Sequence, residues 1–171
     1  MTFDLSTASR HLPSESKEWW RAAVIYQVYP RSFSDSNGDG IGDLPGITAR
    51  LESLAALGID AVWLSPFMRS PQKDAGYDVS DYKDVDPLFG TLADFDAMVA
   101  RAHELGLRIL VDLVPNHTSD QHEWFQQSRE DPDGPYGDFY VWSDTDEKYA
   151  DARIIFVDTE TSNWTFDPVR R

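Results

Sequence analysis

The sequence predicts an α/β protein organised on a parallel sheet of about three strands. Three observations carry this. Ile109, Leu110, Val111, Leu113 and Val114 form a nearly continuous apolar run, interrupted by Asp112 and ended at Pro115. That is the texture of a strand covered on both faces. Leu57-Gly58-Ile59 and Leu105-Gly106-Leu107 echo one another, each joining a helical pattern to a strand pattern that stops at a proline. Ahead of each glycine, apolar residues recur at helical spacing. The order strand, helix, strand, helix, strand calls for right-handed crossovers and parallel pairing.

Taken in order, residues 1–17 are rich in Ser, Thr and charge and read as a loose tail. Val24 to Tyr29 reads as the first strand, closed by Pro30. An acidic, glycine-rich loop follows from Asp35 to Asp43. Ile47, Leu51, Leu54 and Leu57 mark the buried face of a helix that stops at Gly58. Ile59 to Leu64 is the second strand, closed by Pro66. From Phe67 to Gly90 no helical period appears, and a loop of that length is usually functional or inserted. Thr91 with Asp94 forms a capping box for the next helix. Its buried face is Leu92, Phe95, Met98, Val99, Ala102 and Leu105, and Gly106 ends it. After the third strand, Ser119 to Glu130 suits a short helix with Asp120 near its positive end. From Asp131 onward Gly, Pro, Asp and aromatics dominate, with one β-like run at Ile154-Ile-Phe-Val157. This change of texture marks an insertion or a small second domain.

The net charge of −15 argues against nucleic acid and anionic membrane as partners. The absence of cysteine removes disulfides and thiolate metal sites and is compatible with a reducing cytoplasm. No signal peptide and no apolar run of membrane-spanning length is seen. A cytoplasmic location is the expectation.

Three constellations carry chemistry. In Asp35-Ser-Asn37-Gly-Asp39-Gly40-Ile41-Gly-Asp43, side-chain oxygens fall at positions 1, 3, 5 and 9 of a calcium-loop pattern. Gly40 stands where the chain must turn, and the Ile41 carbonyl is placed to add a further oxygen. Position 12 is Gly46 rather than a bidentate Glu, and a strand rather than a helix precedes the loop, so this is not an EF-hand. The alternative is an acidic turn without metal. In Gly76-Tyr77-Asp78-Val-Ser-Asp81-Tyr82, a ring beside a carboxylate suits a sugar, the ring covering a C–H face and the carboxylate taking hydroxyls. Tyr77 as packing and Asp78 as a turn cap are the alternatives. Asp112, Asn116 and His117 lie in and just after the third strand. Imidazole there can donate to a ligand oxygen or act as acid or base; the alternatives are a satisfied core carboxylate and a loop histidine.

A carboxylate in a strand, with an amide and an imidazole at its carboxyl end, fits an α/β barrel, whose sites gather at the carboxyl ends of the strands. Three strands do not close a barrel, since a (β/α)8 barrel takes about 250 residues. The third strand would present an open apolar edge. The expectation is the amino-terminal part of a TIM barrel, with the start of an insertion after strand three.

As a set, Tyr26-Gln-Val-Tyr-Pro-Arg-Ser-Phe33, the Asp35–Asp43 loop, Gly76-Tyr-Asp-Val79 and Asp112-Leu-Val-Pro-Asn-His117 resemble the α-amylase family of glycoside hydrolases (family 13). From Trp19 to Gln127 the likeness is to the α-glucosidase and oligo-1,6-glucosidase branch; over 131–171 it is to the trehalose synthase branch. The resemblance implies a partial catalytic barrel over 18–130 and, over 131–171, the family's domain B, which shapes the substrate entrance. It implies a retaining reaction on α-glucosidic bonds of small maltose-type sugars. Asp78 and His117 would hold hydroxyls of the glucose, Tyr77 would stack on it, and Asp112 would support the floor of the site. Asp35, Asn37, Asp39, Ile41 and Asp43 would hold a structural Ca²⁺ or Mg²⁺. The family's nucleophile and acid lie at the ends of strands four and five, beyond Arg171, so the 171 residues alone are expected to turn over no substrate. Within the family, α-glucosidase leads on the longer matching stretch, with maltose-to-trehalose glucosyl transfer as the alternative. A non-catalytic sugar-binding or subunit relative is the reading from another class.

Overall fold

The computed structural model describes residues 18–154 and 161–170. The chain forms two compact units, one from residues up to Arg69 together with Lys83–Leu113, the other from Ser70–Tyr82 together with Val114 onward.

In the first unit, β1 (Ile25–Val28), β2 (Ala61–Leu64) and β5 (Arg108–Val111) form a parallel sheet in the order β1-β2-β5. Val62 stands opposite Tyr26 on one side and Ile109 on the other. The parallel three-stranded sheet read from the sequence is therefore present. The helix α2 (Leu44–Ala56) begins where the Asp43 carboxylate accepts the Gly46 N–H at 2.6 Å, with Pro45 in the first turn, where its missing N–H costs nothing. It ends before Gly58, whose φ of +86° suits a residue without Cβ. The helix α3 (Leu92–Glu104) opens on the Thr91–Asp94 capping box, with both reciprocal bonds formed. These helices pack together, and Leu44, Ile47, Leu51, Val62, Leu64, Phe89, Met98 and Ala102 make the buried core.

Several details differ from the sequence reading. Leu57 is 68% exposed, because it follows the last helical residue and no longer faces the core. Leu92 is 49% exposed, at the first position of α3 and on the rim of its apolar stripe. Pro30 opens a four-residue helix, α1 (Pro30–Phe33), rather than merely ending a strand. The third strand is not covered on both faces: Val111 and Leu113 are exposed, and among the described residues β5 pairs with β2 alone. The region from Phe67 to Gly90 holds a small second sheet, β3 (Met68–Arg69) with β4 (Asp81–Val85). Arg69 clasps the Asp84 carboxylate there at 2.6 and 2.9 Å, which holds that carboxyl below its ordinary range.

In the second unit, α4 (Glu123–Glu130) starts later than the sequence suggested. Its cap is the His122 ring, whose Nδ1 accepts the Trp124 N–H, while Asp120 pairs with Lys73 at 2.9 Å. The unit packs on aromatic rings, Phe125 lying against both Tyr140 and Trp142. Ser128, fully buried, donates to the Gly137 carbonyl and accepts from the Trp142 indole N–H. The β-like run at 154–157 falls almost entirely outside the described residues.

Candidate functional site

The candidate residues divide between the two units. In the first lie the acidic loop and Asp112. The loop folds around Asp35, whose carboxylate accepts N–H bonds from Gly38 at 2.7 Å, Gly40 at 2.8 Å and Asn37 at 3.1 Å. The Gly40 bond first, then that from Gly38, holds its carboxyl below the ordinary value. Asn37 and Asp39 each brace the backbone N–H two residues on, at 2.9 and 2.8 Å. Each of these side chains keeps oxygen lone pairs beyond the bonds it makes. Asp43 is buried and turned inward: Oδ1 caps α2, and Oδ2 accepts from the Ser36 N–H and hydroxyl. Among the described residues no three carboxylate or imidazole groups converge at metal-binding distance. The donor chemistry nevertheless suits a hard cation, because every candidate ligand is an oxygen on one tight loop. Asp112 is half-buried just past β5, with its N–H donated to the Leu64 carbonyl at 3.1 Å.

In the second unit the structure brings Tyr77, Asp78 and His117 together. The segments around residues 77–79 and 117–119 run side by side. Ser119 N–H donates to the Val79 carbonyl at 2.9 Å, and two residues earlier the His117 ring takes the equivalent place, Nε2 lying 3.2 Å from the Tyr77 carbonyl. A carbonyl can only accept, so Nε2 carries the proton and Nδ1 accepts from the Asn116 amide at 3.2 Å. His117 is exposed and Tyr77 half-buried.

Asp78 is the hub of the turn that precedes Tyr77. Its carboxylate accepts from the Ser70 hydroxyl at 2.7 Å, the Lys73 N–H at 2.8 Å and the Asp74 N–H at 3.1 Å. Partial burial pushes its carboxyl up, but the Ser70, Asp74 and Lys73 bonds together outweigh this and the net direction is down. The turn is strained: Gln72 and Ala75 have φ of +60° and +52°. Both polar atoms of the Gln72 side-chain amide are buried without a hydrogen bond. Backbone strain and an orphaned amide in one turn are features that concentrate at working sites.

Two residues of this region escape sequence reasoning. Asp74 is the exposed carboxylate of the same turn, three residues ahead of Tyr77. The signal for it was only that the loop holds more than one carboxylate. Tyr82 lies in the motif singled out above, yet its hydroxyl reaches carbonyls more than thirty residues away, at Val114 and His117. No local pattern announces that contact.

The Alpha-amylase family, described as alpha amylase, catalytic domain, matches residues 27–171. The chain is 61% identical over 163 residues to the trehalose synthase/amylase TreS of Mycolicibacterium smegmatis, covering 95% of this chain and 27% of that protein. It is 54% identical over 170 residues to a probable alpha-glucosidase of Rhizobium meliloti, covering 99% of this chain and 30% of that protein. Among solved structures it is similar to the alpha-glucosyl transfer enzyme XgtA, with 62% identity and a TM-score of 0.72 over 74% of this chain and 24% of that one. The chain thus spans about a quarter to a third of the length of these relatives. Residue pattern, parallel sheet and these matches agree, and the chain belongs to the α-amylase family.

Proposed function

We propose that the protein containing these residues acts on the α-glucosidic bonds of small maltose-type sugars, by a retaining reaction through a covalent glucosyl-enzyme. The observation that supports this most is the 61% identity to a trehalose synthase/amylase over 95% of the chain. Because that identity is higher than the 54% to a probable alpha-glucosidase over a similar span, the trehalose-forming rearrangement of maltose moves ahead of hydrolysis. Hydrolysis to glucose is the second reading, favoured by the 54% identity to a probable alpha-glucosidase. Incubating the whole protein with maltose and resolving the products decides between them. Trehalose as the main product supports the first, glucose the second, and no product from folded protein overturns both.

In this reading Tyr77 covers a C–H face of the bound glucose and the His117 ring meets a hydroxyl. The bonds around Asp78 suit a brace for the turn, so the carboxylate offered to the sugar is assigned to Asp74, with Asp78 keeping at most a spare lone pair.

The Asp35 loop is proposed to hold a structural Ca²⁺ or Mg²⁺ through Asp35, Asn37, Asp39 and the Ile41 carbonyl, with Asp43 adding at most the lone pair left beyond its bonds to Gly46 and Ser36. When bound, the ion supplies positive charge that ties these oxygens together. Adding Ca²⁺ at about 100 times its Kd should stabilise the protein by about 2.7 kcal/mol. The check is the melting temperature with Ca²⁺, with Mg²⁺ and with chelator. The rise should vanish in Asp35→Ala, and an equal rise in that variant would remove the loop from consideration.

A further inference from the structure

We propose that Tyr82 is a positioning residue for His117, its hydroxyl fixing the Val114–His117 turn and thereby the direction in which the imidazole is presented. This rests on the reading of His117 as a sugar-contacting residue. The Tyr82 hydroxyl lies 2.6 Å from the Val114 carbonyl and 3.0 Å from the His117 carbonyl, so one proton is shared between the two ends of the turn. Neither carbonyl can donate, which makes the phenol the only possible donor in both contacts. Burial first, and the neighbouring Tyr140 second, push its ionisation upward, so the phenol keeps that proton at neutral pH. The Tyr82 ring is itself held, tilted against the buried His122 ring at 5.7 Å.

The remaining contacts of the turn explain why this hydroxyl matters. Past His117 the chain is tied by the Ser119–Val79 backbone bond and by the Thr118 hydroxyl, 2.7 Å from Tyr140. The His117 ring bonds at Asn116 and at the Tyr77 carbonyl are 3.2 Å each, at the long end for such contacts. The backbone carrying the ring is therefore held on its near side by Tyr82, and the ring's own bonds are too weak to set its direction unaided. A ring displaced by even a fraction of an ångström loses a directional bond to a ligand hydroxyl.

The test is a double-mutant cycle in the whole enzyme with maltose, using Tyr82→Phe, His117→Ala and the pair. Tyr82→Phe keeps the ring and its packing on His122. It is expected to raise KM about three- to tenfold, the worth of one hydrogen bond, while kcat falls less and the melting temperature drops by no more than about 4 °C. If Tyr82 acts through His117, the pair should be no worse than His117→Ala alone. Additive losses, or an unchanged KM in Tyr82→Phe while His117→Ala is impaired, overturn the proposal. An unchanged KM in His117→Ala instead overturns the reading of His117, and with it Tyr82's role. Should His117→Ala fail to fold, the imidazole ¹⁵N resonances of His117 in Tyr82→Phe read the same coupling. A shifted ring signal supports the proposal and an unmoved one overturns it.

Discussion

Gly42→Ala will be strongly destabilised, whereas Gly40→Ala, two residues earlier in the same loop, will be tolerated. A Cβ at Gly42 would sit 2.1 Å from the Pro30 carbonyl oxygen and 3.0 Å from the Phe33 N, both backbone atoms with no rotamer to yield. The approach is close because the Gly42 N–H donates to the Arg31 carbonyl at 2.7 Å, drawing the end of the acidic loop onto α1. Relieving the clash means breaking that bond and shifting the buried start of α2, whose Leu44 and Ile47 are fully buried. Such overpacking against rigid backbone costs about 3 kcal/mol or more, a large part of a typical stability of about 5–15 kcal/mol. Gly40 differs in kind. Its φ of +89° favours glycine, but a Cβ there meets nothing within 4 Å. The cost is the left-handed conformation alone, about 1–2 kcal/mol. Chemical denaturation of both variants checks the contrast, and equal midpoints would show that the loop rides freely over α1.

That contrast shows where the sequence is legible. Gly40 stood out because a calcium-loop pattern needs a turn there, which is local information. Gly42 matters through Pro30, twelve positions away, and no pattern within the loop encodes the approach. The same division runs through the fold. The Thr91–Asp94 box and the Gly58 and Gly106 stops were readable, since capping is settled within a few residues. The small sheet of β3 and β4 was not, because Met68–Arg69 is too short to show alternation and is held by partners in β4. The late start of α4 was hidden for a related reason. Asp120 is a good helix-capping residue, but Lys73, forty-seven positions earlier, engages it, and the His122 ring takes the cap. At the site, residue types were legible and their division of labour was not. A carboxylate beside Tyr77 reads as a sugar contact, and only the three donors converging on Asp78 show that it also braces the turn.

Asp78→Ala should therefore damage the site by a different route from Asp74→Ala, and more severely. Gln72 and Ala75 are held at positive φ, which costs roughly 1–2 kcal/mol at each residue. Against this stand the three bonds to Asp78, each worth about 1.5–3 kcal/mol when the acceptor is charged. Partial exposure places them toward the lower end, and the sum still exceeds the strain. Remove the carboxylate and the balance reverses, so the turn opens. The Ser70 hydroxyl, which also accepts the Gln72 N–H at 2.9 Å, loses its anchor at the same time. Tyr77, whose N–H closes on the Asp74 carbonyl, is then released together with the carbonyl that orients His117. The expected result for Asp78→Ala in the whole enzyme is a loss in kcat/KM of about a hundredfold or more, since misplacement of about an ångström costs that much. Cleavage by protease within residues 70–78 should accompany it. Asp74→Ala removes one exposed carboxylate and leaves the brace intact, so KM should rise by about ten- to a hundredfold, the worth of a charged hydrogen bond, with stability and protease resistance unchanged. Acid separates the roles as well. The folded-state carboxyl of Asp78 lies below its ordinary value of 3.8, so its contribution is complete above that pH and is lost only as pH falls through the lower, folded value. A carboxyl ¹³C titration of Asp78 with a midpoint at or above 3.8, or a protease-resistant Asp78→Ala, would return Asp78 to the sugar and leave the turn without its brace.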